Sequence, residues 1–153
     1  MRRLLGLLLV LATPLLLSAG DDGVHKELKS LQGKWKAVGL EAGGKSLPKE
    51  AVPDFLFVVA ADGKSTGQVE KTEYQSKVSV DPKKNPKTID NEHETGPHKG
   101  KKQFGIYKVE AGKWIVCMTA PGAAESDRPK TFDTKDTTNV VFIFERVKED
   151  KKP

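Results

Sequence analysis

Cysteine is almost absent from this chain. Cys117 stands alone in 153 residues, so no internal disulfide can form and stability has to come from a packed core and a ladder of strands. Within Trp114-Ile115-Val116-Cys117-Met118 its neighbours are apolar; burial among them raises a thiol pKa and suppresses the thiolate, so an inert, packed thiol is expected. Histidine is scarce too. His25, His93 and His98 are the full complement, none falls in a strong strand pattern, and a Ser-His-Asp or Cys-His site would have to assemble from loops without a local signature. Helical periodicity is nearly missing: Val24, Leu28 and Leu31 form the one stretch of any length, which argues against alternating strands and helices. A dense basic stripe is also lacking. The excess of 26 Lys and Arg over 21 Asp and Glu is spread through loops (Lys83, Lys84, Lys87, Lys99, Lys101, Lys102) and the tail from Lys148 to Lys152, the pattern of a solvated surface rather than of a nucleic-acid-binding face.

What is present begins with a leader. Arg2-Arg3 is a short cationic head, Leu4 to Leu17 is uncharged and apolar, and Ser18-Ala19-Gly20 supplies small residues before Asp21-Asp22. Residues 1–20 read as a cleaved secretory signal, and the apolar run is shorter than the roughly 20 residues needed to span a bilayer. The adjacent arginines lack the rest of a twin-arginine signal, so the general secretory route is expected. No cysteine near the cleavage point offers a lipid anchor. The product is therefore expected to be periplasmic or extracellular, with no membrane association after cleavage. Residues 21–153 are a suitable length for one domain with its own core.

That domain reads as β throughout. Trp35 to Leu40 gives a first strand ended by Gly43-Gly44, and Phe55 to Val59 a second, after a Pro48–Pro53 segment with room for one helical turn. Asp62-Gly63 signals a hairpin. Gln68 to Glu73 and Tyr74 to Val80 follow, with Tyr74, Ser76, Val78 and Val80 on one face, and Thr88 to Glu92 makes a short fifth strand. Phe104 to Val109 and Trp114 to Thr119 form the clearest hairpin, joined by Glu110-Ala111-Gly112-Lys113; Asn139 to Val147 is the last strand. Ala120 to Thr138 reads as a long loop or flap. Eight strands with regular turn signals predict an all-β antiparallel barrel with a short N-terminal helix. In such a barrel the first and last strands are neighbours, and Arg146 would lie over Trp35 and plug one end.

Leu31-Gln32-Gly33-Lys34-Trp35 resembles the Gly-x-Trp opening of lipocalin-type barrels, and Arg146 is similar to the arginine that packs over that tryptophan. The chain more closely resembles a conserved, lipocalin-like domain of unknown function found in exported planctomycete proteins. The shared stretches are the opening, Asp81-Pro82-Lys83-Lys84-Asn85-Pro86-Lys87-Thr88-Ile89-Asp90, Gly105-Ile106-Tyr107, Cys117, Ala120-Pro121-Gly122, and Arg128-Pro129 with Phe132, which together cover about residues 28–147. The resemblance implies structural roles for Gly33, Trp35 and Arg146 in a lipocalin-like barrel, and no established activity. From the residues themselves, Asp81-Pro82 and Asn85-Pro86 fix a turn. Arg128 either pins the long loop with Pro129 or grips an anionic ligand group near a mouth.

Two patterns mimic other chemistries. Gly39-Leu40-Glu41-Ala42-Gly43-Gly44-Lys45-Ser46 satisfies the phosphate-loop spacing, and Phe57 to Asp62 imitates the apolar strand ending in a metal-binding aspartate. A phosphate loop needs a helix directly behind it, and the only candidate, Leu47 to Asp54, contains Pro48 and Pro53; tight turns explain the glycines better. His93-Glu94-Thr95-Gly96-Pro97-His98 is one residue too long for a zinc helix, and Gly96-Pro97 would break it. A loop gathering His93, His98 and Glu92 or Glu94 round a metal is the remaining possibility, against ordinary solvated loop histidines.

The barrel interior is the functional question. The alternation that turns Trp35 and Arg146 inward also turns in Val140, Phe142, Phe144, Trp114, Val116 and Met118, with Tyr107 on the paired strand. These side chains either fill the lumen or line an apolar cup. The expectation is a non-enzymatic module that binds a small hydrophobic or amphipathic ligand through Tyr107, Trp114, Val116, Met118, Arg128, Phe142 and Phe144, without a cofactor or metal. Its alternative is a protein-interaction or inhibitor module with a filled barrel, acting through the 120–138 loop. An enzyme using loop histidines or Cys117 finds no supporting constellation.

Overall fold

The structure, a computed structural model, describes residues 21–148; the expected signal segment 1–20 lies outside the described residues. The chain opens with a helix, α1 (Asp21–Leu31), and continues through β1 (Gly33–Ala42), β2 (Lys45–Ser46), β3 (Phe55–Val59), β4 (Lys64–Val69), β5 (Thr72–Asp81), β6 (Lys87–His93), β7 (Lys102–Glu110), β8 (Lys113–Met118) and β9 (Val140–Arg146). Apart from the two-residue β2 on the far end of β1, each strand hydrogen-bonds antiparallel to the next, and β9 returns to β1. The result is a closed eight-stranded antiparallel barrel, which leaves no sheet edge open in its wall.

Closure is made by the residues that opened and ended the sequence pattern. Trp35 stands opposite Arg146 in the β1–β9 register. The Arg146 guanidinium carbon lies 4.2 Å from the Trp35 ring centroid, while its nitrogens donate to the carbonyls of Gln32 and, at 2.9 Å, Ser30. Trp35 Nε1 donates to Leu31 O at 2.8 Å. One cation thus stacks on the indole and occupies carbonyls at the end of α1 that have no intrahelical donor. Gly33 has φ +126°, and a Cβ there would sit 2.6 Å from Arg146 Nη1, so the glycine of Gly-x-Trp is the space the arginine fills.

The helix plugs the same end. Val24, Leu28 and Leu31 face the core, Leu31 being fully buried beside Val59, Val78 and Val80. Glu27 Oε1 accepts from Lys87 Nζ at 2.7 Å and from the Tyr107 hydroxyl at 2.9 Å. The opposite end, where β3 begins and β6 and β8 finish, has no such plug among the described residues.

Turns follow the residues that permit them. Gly43 and Gly44 have φ of +58° and +72° and close the β1–β2 hairpin, so the phosphate-loop pattern is a tight turn followed by a strand and a single 3-10 turn at Lys49–Ala51. Ala111 and Gly112, at +51° and +75°, turn β7 into β8. The third strand departs from expectation: it runs Lys64–Val69 instead of Gln68 to Glu73. Its inward residues are Ser65, Gly67 and Val69, because a Cβ on Gly67 would already lie 3.1 Å from the Phe55 ring. The turn after it is Glu70-Lys71, with Glu70 at φ +54°. A strand of small and polar residues closed by a turn without glycine carries no apolar alternation to read.

The 120–138 segment is neither free nor a flap over the mouth. It runs as a strap across the outer wall. Arg128 holds one end against the β6–β7 pair, donating to Asp90 Oδ1 and to Gly105 O at 3.0 Å. Thr134, fully buried, holds the other by donating to Glu41 Oε1 and accepting from Gly44 N, each at 2.9 Å. Between them Phe132 packs on a second apolar cluster of Ile106, Cys117 and Val141.

Candidate functional site

Strand alternation leaves a cavity of about 410 Å³ inside the barrel above the plugged end, within the range of roughly 300–1,000 Å³ typical of small-molecule sites. Its floor and walls are apolar. Phe55 and Phe57 from β3, Trp114 and Val116 from β8, and Phe142 and Phe144 from β9 are the main contributors. The rings meet edge-on or tilted: Phe55 lies 5.8 Å from Phe142 and 5.7 Å from Phe144, and Phe57 lies 5.9 Å from Trp114. These are ordinary spacings for aromatic pairs.

Polar groups gather towards the open end, where β5, β6 and β7 contribute Ser76, Asn91, His93 and Gln103. The β6–β7 loop folds back over β5: Glu94 N donates to Gln75 O at 2.9 Å, and Thr95 Oγ1 accepts from Gln75 N at 2.8 Å. Gly96 packs so closely on Tyr74 that a Cβ would lie 2.4 Å from the ring. Thr95, Pro97 and His98 thereby reach the rim. Gln103 Nε2 donates to Thr119 O at 2.9 Å, which fixes its amide so that Oε1 accepts from His93 Nε2 at 2.8 Å. His93 therefore carries its proton on Nε2, and Nδ1 keeps a lone pair when the ring is neutral.

Among the described residues, two buried side-chain polar atoms have no partner, Asn91 Oδ1 and Trp114 Nε1, and both residues line this cavity. A buried polar atom left unsatisfied costs about 1–3 kcal/mol.

Of the sequence-derived ligand residues, Trp114, Val116, Met118, Phe142 and Phe144 line the cavity together. Tyr107 and Arg128 do not. Tyr107 points inward but below the cavity, where its hydroxyl meets Glu27; burial, then that carboxylate, raise its pKa above the ordinary phenol value. Arg128 is on the outer wall, stacked 5.3 Å from the Phe104 ring centroid and committed to the strap. Cys117 is also on the outer side, fully buried under the strap. Burial, then the charge of Glu41, push its thiol up to about 11.

The histidine expectation needs correction at one position. His93 belongs to β6, is half-buried and faces the lumen, instead of being a solvated loop residue. Its ring centroid lies 5.6 Å from that of His98. Glu92 points elsewhere and pairs with Lys102 at 3.3 Å, and among the described residues no three His, Cys, Asp or Glu side chains group as metal ligands.

Sequence reasoning missed Asn91, His93 and Gln103 because it tracked apolar residues alone. The inward phase was nevertheless readable: Ile89 inward on β6 turns Asn91 and His93 inward, and Tyr107 inward on β7 does the same for Gln103. Comparison with family models, curated proteins and solved structures finds no match.

Proposed function

We propose that this protein is an exported, non-enzymatic, lipocalin-like binding module that holds a small hydrophobic or amphipathic molecule inside its barrel. The observation that carries this reading is the cavity of about 410 Å³ walled by aromatic and aliphatic side chains. A barrel of this size either fills its lumen or accommodates one small ligand. An open lumen weighs against the filled-barrel alternative, and the packing of the 120–138 strap on the wall removes much of the loop surface that alternative would use. Export is supported by the signal-like segment of residues 1–20. Burial of apolar surface would supply most of the affinity, with polar groups near the rim setting orientation.

Titration with N-phenyl-1-naphthylamine, an uncharged probe whose emission rises in apolar surroundings, tests this directly. One molecule is expected to bind per chain, with energy transfer from tryptophan, since Trp114 lines the cavity. Val116→Phe, which fills lumen space, is expected to weaken binding by about tenfold or more while leaving the fold intact. A protein that binds no probe, and retains no small molecule in native mass spectra, would overturn the proposal.

A further inference from the structure

The geometry points to an uncharged, hydroxyl-bearing aromatic molecule as the class of ligand this cavity selects; the inference rests on the reading of the lumen as a ligand site. Three observations converge on it. The first is charge. No Asp, Glu, Lys or Arg is among the residues lining the cavity, so a buried carboxylate or ammonium would lose its hydration without gaining an ionic partner.

The second is the unmatched hydrogen-bonding capacity at Asn91. Asn91 lies in the middle of β6, opposite Val78 on β5 and Gln103 on β7, and its Oδ1 is buried with no partner among the described residues. A primary amide presents an acceptor beside a donor. A hydroxyl gives one bond and accepts others, so it satisfies an amide turned either way; a carboxylate answers only the N–H side. Two residues along the same face, His93 spends Nε2–H on Gln103 and in its neutral form presents another acceptor. Two acceptors on adjacent inward positions call for a ligand donor.

The third is size and wall chemistry. At about 30 Å³ for each water-sized group, a cavity of about 410 Å³ takes about fourteen non-hydrogen atoms, the size of a two-ring molecule with one polar substituent. Five aromatic residues, Phe55, Phe57, Trp114, Phe142 and Phe144, surround that space, and they meet a second ring system in the edge-to-face and offset geometries that ring quadrupoles favour.

The test compares three probes of one shape against the protein by calorimetry: biphenyl, 4-hydroxybiphenyl and biphenyl-4-carboxylate, at mildly alkaline pH where imidazole is neutral and the phenol protonated. The hydroxyl form is expected to bind about tenfold or more tightly than either of the others, because it alone supplies the missing donor. Asn91→Leu is expected to erase that preference while keeping affinity for biphenyl. Should the leucine variant lose biphenyl as well, Asn91→Ala, which only removes volume, carries the same comparison. Equal binding of all three, or tightest binding of the carboxylate, overturns the inference and leaves the apolar cup standing. Binding of none overturns the cup itself and the inference with it.

Discussion

Arg146 does three things with one side chain: it stacks on Trp35, caps carbonyls of Gln32 and Ser30, and fills the volume left by Gly33. Arg146→Ala is expected to destabilise the protein by about 2 kcal/mol in urea denaturation, from the lost cation–π contact and the two unpaired carbonyls. Arg146→Lys should recover only part, because an ammonium cannot stack and fork at once. Cys117 offers a pH test with a definite sign. Its folded pKa, about 11, is above the 9.0 of a free thiol, so the thiol contribution to stability is fully present below about pH 9 and is lost as pH rises through about 11. Replacing it in Cys117→Val is expected to flatten the fall in denaturation midpoint over that window, relative to the native protein. The pairing of Trp35 with Arg146 was legible in the sequence because both residues are chemically distinctive. The true partners of Tyr107 and Arg128 were not, because alternation says which face a residue occupies and not how deep it sits or what loop crosses the wall.

At the level of elements, the helix and the strap both act as fasteners on the barrel. α1 was readable from Val24, Leu28 and Leu31, but its anchor was not, since Glu27 finds Lys87 and Tyr107 at sequence separations of 60 and 80. Glu27→Ala leaves the Tyr107 hydroxyl buried without its acceptor, and an expected loss of about 1–3 kcal/mol follows; Glu27→Gln, which can still accept, should lose less. The strap shields Cys117, and its β6–β7 anchor is Arg128. Arg128→Ala is expected to speed proteolysis between residues 119 and 139 and to make Cys117 reactive towards a disulfide reagent, while probe binding in the lumen is unchanged. If cavity binding fell in parallel, Arg128 would belong to the ligand site after all. The third strand shows where pattern reading stops: Ser65 and Ser76 share a hydrogen bond on the inner face at 2.9 Å, and polar inward positions look like loop until a barrel is built round them.

For the whole molecule, fold class was accessible because a meander of strands repeats the same short-range signals, whereas the cavity was not. Whether inward bulky residues meet in the middle depends on barrel radius and on the small residues opposite them, and here Gly67 and Ser76 stand in the cavity wall where larger side chains would have filled it. The open lumen also sets an expectation for stability. Occupancy should raise the thermal midpoint with the logarithm of ligand concentration, since only the folded barrel binds. A midpoint indifferent to ligand would mean that any contact is superficial.

The sealed base gives this vessel a single doorway. With α1 and the Arg146–Trp35 stack closing the floor, guests can enter and leave only past the rim at Tyr74, Pro97 and His98. A newcomer has no back route by which to push an occupant out, so exchange has to be sequential, and the release rate measured in a chase should not change with the amount of competitor.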